Sequence, residues 1–119
     1  MAIIKSFTDI EQSKKLAEIL PLESADMRIG NYVGESGKVD GTNVHYYPKG
    51  ESFGAPEIIY AWSLASLLSV LPDYTLQTNT DGTVFVVCDS KKPMISDSFS
   101  NPVDACVAMI EKLHELNLL

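Results

Sequence analysis

The sequence predicts an α+β fold: a single antiparallel sheet of about four to five strands, with three helices mainly on one face. Three segments combine helical apolar spacing with capping residues, and strand-like runs lie between them. The connections between successive runs are short, which favours antiparallel pairing. The chain has 119 residues, which suits one hydrophobic core, so a single α+β domain is expected over residues 1–119.

The first helix is predicted to begin after Thr8 and to end near Leu20. Thr8 is the expected N-cap, and Glu11 is expected to reach back to it in a capping box. Pro21 ends the helix because proline has no backbone N–H to donate. The apolar positions of this helix are Ile10, Leu16, Ala17, Ile19 and Leu20.

Two strands are predicted next, over Met27–Val33 and Val39–Tyr47, joined by a turn-rich connection at 34–38. Five of the seven glycines lie between Gly34 and Gly54, which makes the middle of the chain rich in loops. This stretch is too short to be a linker between domains.

The second helix is predicted within the uncharged apolar stretch Ile58–Leu71, which is shorter than the roughly 18–20 residues of a membrane span. Ser63 is the expected N-cap, and Trp62 is expected to pack on Leu67 as a hydrophobic staple. Pro72 stops the helix. The apolar stripe consists of Leu64, Leu67, Leu68 and Leu71.

Two further strands, Tyr74–Thr78 and Thr83–Cys88, flank Asp81-Gly82, a dipeptide that favours a hairpin turn. The second of these strands is expected to be central and buried on both faces, because all its residues after the first are apolar. A last strand is expected within Met94–Phe99.

The last helix has the clearest signals of the three. Asn101 is the expected N-cap, Pro102 suits the first helical position, and Asp104 places an acid in the positive first turn. One apolar face at helical spacing is formed by Val103, Cys106, Val107, Ile110 and Leu113.

Charge restricts the classes of partner. The formal net charge is −7, and adjacent bases occur only as Lys14-Lys15 and Lys91-Lys92. Neither nucleic acid nor an anionic membrane surface is therefore expected as a partner. Lys5 interrupts the N-terminus before the apolar core of a signal peptide forms, which favours a cytoplasmic location.

The segment Gly50–Gly54 matches the G-x-S-x-G pattern of serine hydrolases, with Ser52 as the nucleophile. That site needs a strand before the serine and a helix directly after it, whereas Pro48 and Pro56 enclose this segment in a glycine-rich loop. A loop is therefore predicted, and a minor serine hydrolase using Ser52 is the third hypothesis for function.

No catalytic residue, metal or cofactor is predicted. Glu111 and His114 form half of a carboxylate-bridged di-iron motif, and the sequence has no second half. His45 and two distant cysteines do not make a zinc set. Cys88 and Cys106 are expected to be reduced core thiols, with one disulfide between them as the alternative.

An aromatic group surrounds the loop-rich middle of the chain and supplies the predicted binding residues: Tyr46, Tyr47, Phe53 and Tyr60. Tyrosine is common in binding surfaces because its ring is apolar and its hydroxyl is polar. The alternative is that these residues belong to the core, since alternation along a strand sends Tyr46 and Tyr47 to opposite faces.

A resemblance is carried by Phe7–Leu16 with Glu23–Met27, by Ala61–Leu68 and by Val103–Leu116. In these segments the chain resembles a group of small uncharacterised proteins of gut anaerobic bacteria and of their phages and mobile elements. The resemblance implies a cytoplasmic accessory protein of phage or mobile-element type, and it brings no assigned site residues with it.

The leading hypothesis is a small acidic protein-interaction protein without catalytic activity, whose partner is another protein. The alternative is a small-molecule-binding domain with a pocket beside residues 45–60. A homo-oligomer is compatible with each hypothesis.

Overall fold

The computed structural model describes residues 5–33, 39–48, 57–89 and 93–119, with residues 30–33, 39–48, 57 and 58 described by their backbone alone. Within these ranges the predicted α+β class with three helices is confirmed. The elements in chain order are α1 (Ile10–Ile19), β1 (Met27–Val33), β2 (Val39–Pro48), β3 (Glu57–Ala61), α2 (Leu64–Val70), β4 (Tyr74–Thr78), β5 (Val84–Asp89), β6 (Pro93–Ile95) and α3 (Pro102–Glu115).

The described strands form two antiparallel sheets, in the orders β2-β1-β3 and β4-β5-β6. The prediction of a single sheet of about four to five strands is therefore wrong. The difference arises at β3, which lies in the apolar stretch assigned in part to a helix. Its five residues all pair with β1, so the first three strands complete a sheet of their own.

The chain divides into two compact units. The N-terminal unit is Asp9–Trp62 and contains α1 and the sheet β2-β1-β3. The C-terminal unit is Ser63–Leu119 together with the segment that ends at Thr8, and it contains α2, the second sheet and α3. The prediction of one domain over residues 1–119 stays a prediction.

A capping box begins α1 one residue later than predicted. The Asp9 carboxylate accepts a hydrogen bond from the backbone N–H of Gln12 at 2.8 Å, and the Gln12 side chain accepts one from the backbone N–H of Asp9 at 3.2 Å. Aspartate ranks above threonine as an N-cap, and glutamine serves as well as glutamate at the third helical position. The box predicted for Thr8 and Glu11 is therefore wrong, and Thr8 is fully buried.

Trp62 is the largest fully buried side chain of the N-terminal unit within the described residues. Its indole Nε1 donates a hydrogen bond to Ser24 Oγ at 2.9 Å, which gives the buried N–H a partner. Trp62 is thus a buried packing residue, as the sequence predicts, whereas its staple with Leu67 stays a prediction. In the same unit α1 packs against β3. The other buried apolar residues described there are Leu16, Leu20, Ala25, Ile29 and Ala61.

In the C-terminal unit, α2 begins at the predicted cap, where Ser63 Oγ accepts a hydrogen bond from the backbone N–H of Ser66 at 3.3 Å. Leu67 and Leu71 are buried, whereas the other two leucines of the predicted stripe, Leu64 and Leu68, are half-buried. Two of the four leucines in the predicted stripe are therefore fully part of the core.

The N-cap of α3 is the one that the sequence predicts. Asn101 Oδ1 accepts a hydrogen bond from the backbone N–H of Asp104 at 2.9 Å, and Asn101 Nδ2 donates one to the Asp104 carboxylate at 2.8 Å. Lys5 Nζ lies 2.8 Å from the other Asp104 oxygen. The helix packs against β5 and α2. The predicted apolar face is confirmed, since Val103, Cys106, Val107, Ile110 and Leu113 are all buried.

The predicted hairpin joins β4 to β5. Asp81 Oδ1 accepts hydrogen bonds from the Thr83 hydroxyl at 2.6 Å and from the Thr83 backbone N–H at 2.9 Å. These two bonds, the hydroxyl bond first, lower the pKa of Asp81 below its ordinary value of 3.8. Gly82 has a φ of +88°, a backbone conformation that residues with a side chain rarely adopt.

The central position of β5 in the second sheet is confirmed. Its first, third and fifth residues are buried, whereas Phe85 and Val87 on the other face are half-buried. The expected burial of both faces is therefore wrong, and the sheet presents one fully covered face at this strand.

The edge strand β6 follows β5 and has three residues. It begins with Pro93 and leaves Ile95 57% exposed. Lys112 Nζ of α3 donates a hydrogen bond to the Ile95 carbonyl at 2.9 Å. Directly after the strand, the buried Ser96 hydroxyl accepts a hydrogen bond from the backbone N–H of Val86 at 2.9 Å. These two hydrogen bonds connect the end of the short strand β6 to β5 and to α3.

Leu113→Ala is expected to lower the free energy of unfolding by about 2–5 kcal/mol, the range for truncating a buried aliphatic side chain. Leu113 is fully buried in α3, whereas Leu116 at the end of that helix is 48% exposed. Leu116→Ala is the matched control and is expected to change the free energy by less than about 0.5 kcal/mol. Urea denaturation measures both variants, and equal losses would show that the apolar face is assigned wrongly.

Asp81→Asn is expected to reduce the loss of stability on acidification. Because the pKa of Asp81 is lowered in the folded state, the ionised carboxylate stabilises the fold above its ordinary pKa of 3.8. That contribution is lost as the pH falls through the lower, folded-state pKa. Urea denaturation of both proteins from neutral pH through the acid range measures the difference. Parallel losses in the two proteins would contradict the assigned hydrogen bonds.

Candidate functional site

Three of the four predicted binding residues lie in the first sheet. Tyr46 and Tyr47 belong to β2, and Tyr60 belongs to β3. Phe53 lies outside the described residues. The strand register therefore decides which of the three tyrosines are brought together.

The central strand β1 places Tyr47 and Tyr60 on either side of one residue. Arg28 is paired with Tyr47 of β2 and with Tyr60 of β3. Residues that stand opposite each other on neighbouring strands share a face of the sheet. We call this cross-strand set of Tyr47, Arg28 and Tyr60 the Arg28 row.

Tyr46 stands in the neighbouring row, opposite Ile29, which also pairs with Ile59 of β3. Successive residues of a strand alternate between the two faces, so this row belongs to the other face of the sheet. Ile29 is fully buried, whereas Arg28 and Tyr60 are half-buried. Ile59, beside Ile29 in its row, is also half-buried, so Ile29 is the fully buried member of these two rows among the side chains that the structure describes.

Arg28 has two unusual features. Its guanidinium carbon lies over the Tyr60 ring, 5.4 Å from the ring centroid, within the range of a cation–π interaction. Its Nε–H is buried, and no described residue accepts a hydrogen bond from it. A buried donor without an acceptor costs about 1–3 kcal/mol, so such groups are rare in folded proteins and call for an explanation.

Arg28 was not among the predicted site residues, although it is the only arginine in the sequence. The available signal was its place in the strand Met27–Val33, between two apolar residues that face the other way. A planar guanidinium forms paired hydrogen bonds with a carboxylate or a phosphate, which a lysine ammonium does not. The Arg28 row therefore combines an anion-binding group with aromatic surface.

The two cysteines are free and buried, as the sequence predicts. Burial, with a smaller contribution from the nearby Cys88, raises the pKa of the Cys106 thiol to about 12. Burial, with a smaller contribution from Asp73, raises the pKa of Cys88. The thiolate is the nucleophilic form of cysteine, so these environments oppose nucleophilic chemistry at both residues.

The other motifs singled out in the sequence do not assemble into a site within the described residues. Ser52 lies outside them, and His114 is exposed near the end of α3. Among the described residues no group of three or more His, Cys, Asp or Glu side chains is placed to hold a metal ion. The prediction that the protein uses no metal or cofactor stays a prediction.

An open groove of about 370 Å³ lies in the C-terminal unit. Three carboxylates line it, and the one lysine there is hydrogen-bonded to the Ile95 carbonyl. Nothing described at the groove points to a particular ligand. Its lining residues are Ser96, Asp97, Ala108, Glu111, Lys112 and Glu115.

Comparison with known proteins does not identify the site. The sequence matches no protein-family model, no curated protein and no solved structure. None of the helices in the described ranges is both long and apolar enough to cross a membrane.

Cys106 is expected to resist modification by a thiol reagent in the native protein. With its pKa near 12 in place of the ordinary 9, the thiolate fraction at mildly alkaline pH falls by about 1,000-fold. Reaction of a Cys88→Ser variant with Ellman's reagent, in buffer and in guanidinium chloride, measures this protection. Labelling of the native variant as fast as that of the unfolded chain would contradict it.

Proposed function

We propose that the protein is a small, acidic interaction protein without catalytic activity, and that it binds another protein through the Arg28 row. The observation that carries the proposal is the half-buried Arg28, which is paired with Tyr47 on one neighbouring strand and whose guanidinium carbon lies 5.4 Å from the centroid of the Tyr60 ring on the other.

The residue types of the row support a protein partner. Tyrosine and arginine are enriched among the residues that dominate binding energy at protein interfaces. Tyr60 is half-buried, so part of its surface is available to a partner while the rest holds it in place. Few flexible groups then need to be ordered on binding, which lowers the entropic cost of association.

The charge of the chain favours protein over nucleic acid as the partner. The net charge is −7, and Arg28 has tyrosines rather than bases beside it in its row. Nucleic acids are bound through several clustered cations, which a single guanidinium does not provide.

The proposal includes the cytoplasmic setting of an accessory protein of phage or mobile-element type, which rests on the resemblance stated above. A second copy of the chain is one protein that could occupy the row, so a homo-oligomer is compatible with it. The alternatives, a small-molecule-binding domain and a serine hydrolase using Ser52, gain no supporting observation in the described part of the chain.

Tyr60→Ala is expected to weaken partner binding at least tenfold, which corresponds to about 1.4 kcal/mol and is typical of an interface hot spot. Tyr74→Ala is the matched control, because Tyr74 is a 43%-exposed tyrosine on β4 in the other unit. It is expected to change binding less than twofold, since no described feature links it to the Arg28 row.

The partner is first captured from extracts of the organism of origin, identified by mass spectrometry and then purified for calorimetric titration. Sedimentation of the protein alone tests self-association in the same variants. Thermal denaturation followed by circular dichroism checks that both variants are folded. Equal affinity of the folded Tyr60→Ala variant and the wild type for every recovered partner, the protein itself included, would overturn the proposed function.

A further inference from the structure

We infer that two copies of the chain form a dimer by antiparallel pairing of β4 with β4 of the second copy. The strand belongs to the C-terminal unit, so this contact uses no residue of the Arg28 row and goes beyond the proposed function. Joined at this edge, the second sheets of the two copies become one continuous sheet with three strands from each copy.

The outer edge of β4 has backbone groups that β5 does not use. At one end of the β4–β5 pairing, the Asp89 N–H donates a hydrogen bond to the Asp73 carbonyl at 3.0 Å. At the other end, the Asn79 N–H donates one to the Thr83 carbonyl at 2.7 Å. In an antiparallel pair, residues that bond to the neighbouring strand alternate with residues that do not. The residues of β4 whose N–H and C=O groups point away from β5 are therefore Tyr74, Leu76 and Thr78.

The hydrogen bonds of β5 agree with this alternation. Val86 stands opposite Leu76. Its N–H donates a hydrogen bond to the Ser96 hydroxyl, and its carbonyl accepts one from the Ser96 N–H, both at 2.9 Å. Both backbone groups of Val86 thus point away from Leu76. Since β4 is the end strand of its sheet, no strand in the described part of the chain pairs with its outer edge.

The strand β4 lacks the features that protect sheet edges. It contains no proline and no charged residue, and its pairing with β5 has no bulge. All its residues except the half-buried Leu76 are exposed, so side chains on both faces of this edge are open. The opposite edge of the same sheet, β6, has three residues and begins with Pro93. A further strand is therefore expected to add at β4.

The sequence of β4 is complementary to itself, which favours a second copy as the added strand. A two-fold axis at Leu76 places Leu76 opposite the partner's Leu76 and Tyr74 opposite the partner's Thr78. An aromatic residue opposite a β-branched residue is a favourable cross-strand pair. In each of these rows the outward N–H and C=O groups of the two copies meet, so about six hydrogen bonds form.

The charges near β4 favour the antiparallel direction. Each copy has a net charge of −7, so a dimer contact must keep carboxylates apart. Extended by one residue, the antiparallel pairing puts Asp73 opposite the partner's Asn79, which is neutral. A parallel pairing in register would place the two Asp73 carboxylates side by side. The antiparallel contact therefore brings no two acids opposite each other from Asp73 to Asn79.

A matched pair of proline variants tests the contact by sedimentation equilibrium. Thr78→Pro removes an outward N–H, and proline is tolerated in an edge strand where that N–H faces solvent. Thr80→Pro is the control, because Thr80 is the second residue of the turn closed by the hydrogen bond from the Gly82 N–H to the Asn79 carbonyl at 3.0 Å. Proline is favoured at that turn position. Circular dichroism checks that both variants are folded.

The wild-type mass is expected to rise from that of one 13.0 kDa chain towards twice that value and no further. Protein concentrations run from about 10 µM to about 1 mM, which covers the weak association of a small interface. Thr78→Pro is expected to weaken dimerisation at least tenfold, and Thr80→Pro less than twofold. Tyr60→Ala is expected to leave the dimer unchanged, because Tyr60 belongs to the other unit.

Amide hydrogen exchange tests the same contact in the wild-type protein, so the test does not depend on the folding of a variant. Exchange at the Leu76 and Thr78 N–H groups, followed by NMR, is expected to slow as the protein concentration rises. The Gln77 N–H is the internal control, because it points towards β5 in the monomer and in the dimer.

Four results would overturn the dimer inference. They are a wild type that stays monomeric over the whole range, a mass that passes beyond twice that of the chain, equal dimerisation of the two folded proline variants, and exchange at Leu76 and Thr78 that does not depend on concentration. A dimer that is lost in Tyr60→Ala and kept in Thr78→Pro would place the contact at the Arg28 row instead. Protection of the two edge amides only when a captured partner is added would assign the edge to a strand of another protein.

Discussion

The register of β1 determines what the N-terminal unit buries and what it presents. This strand is hydrogen-bonded to β2 on one edge and to β3 on the other, so both neighbours must agree with one alternation of faces. A shift by one residue would exchange the faces of all its side chains, taking Ile29 out of the core and bringing the charge of Arg28 towards it. Burial of Ile29 therefore fixes the position of Arg28 opposite Tyr47 and Tyr60.

Two elements that depend on neighbouring residues were predictable from the sequence, whereas the capping box of α1 was predicted one residue too early. The Asn101 cap of α3 and the Asp81-Gly82 turn each involve hydrogen bonds that span at most three residues. The division into two sheets was not predictable, because β3 pairs with a strand far away along the chain. A short apolar run is compatible with a buried strand or a buried helix, and only its pairing with β1 distinguishes them.

The candidate site was predictable in part for a related reason. Composition alone drew attention to Tyr47 and Tyr60, and strand alternation separated Tyr46 from Tyr47 before any register was known. Arg28 gains its importance from two non-local facts: the strands on either side of it and the absence of an acceptor for its Nε–H among the described residues. Neither fact is encoded in a short motif, so no local pattern indicates it.

The short strand β6 has a consequence for the colloidal behaviour of the C-terminal unit. A sheet edge with an exposed isoleucine is a template on which another chain can add a strand and begin an aggregate. Pro93 supplies no N–H at the start of this edge, and the strand ends two residues later at Ile95. Both features reduce the number of backbone groups that this edge offers for intermolecular pairing beside an Ile95 that is 57% exposed.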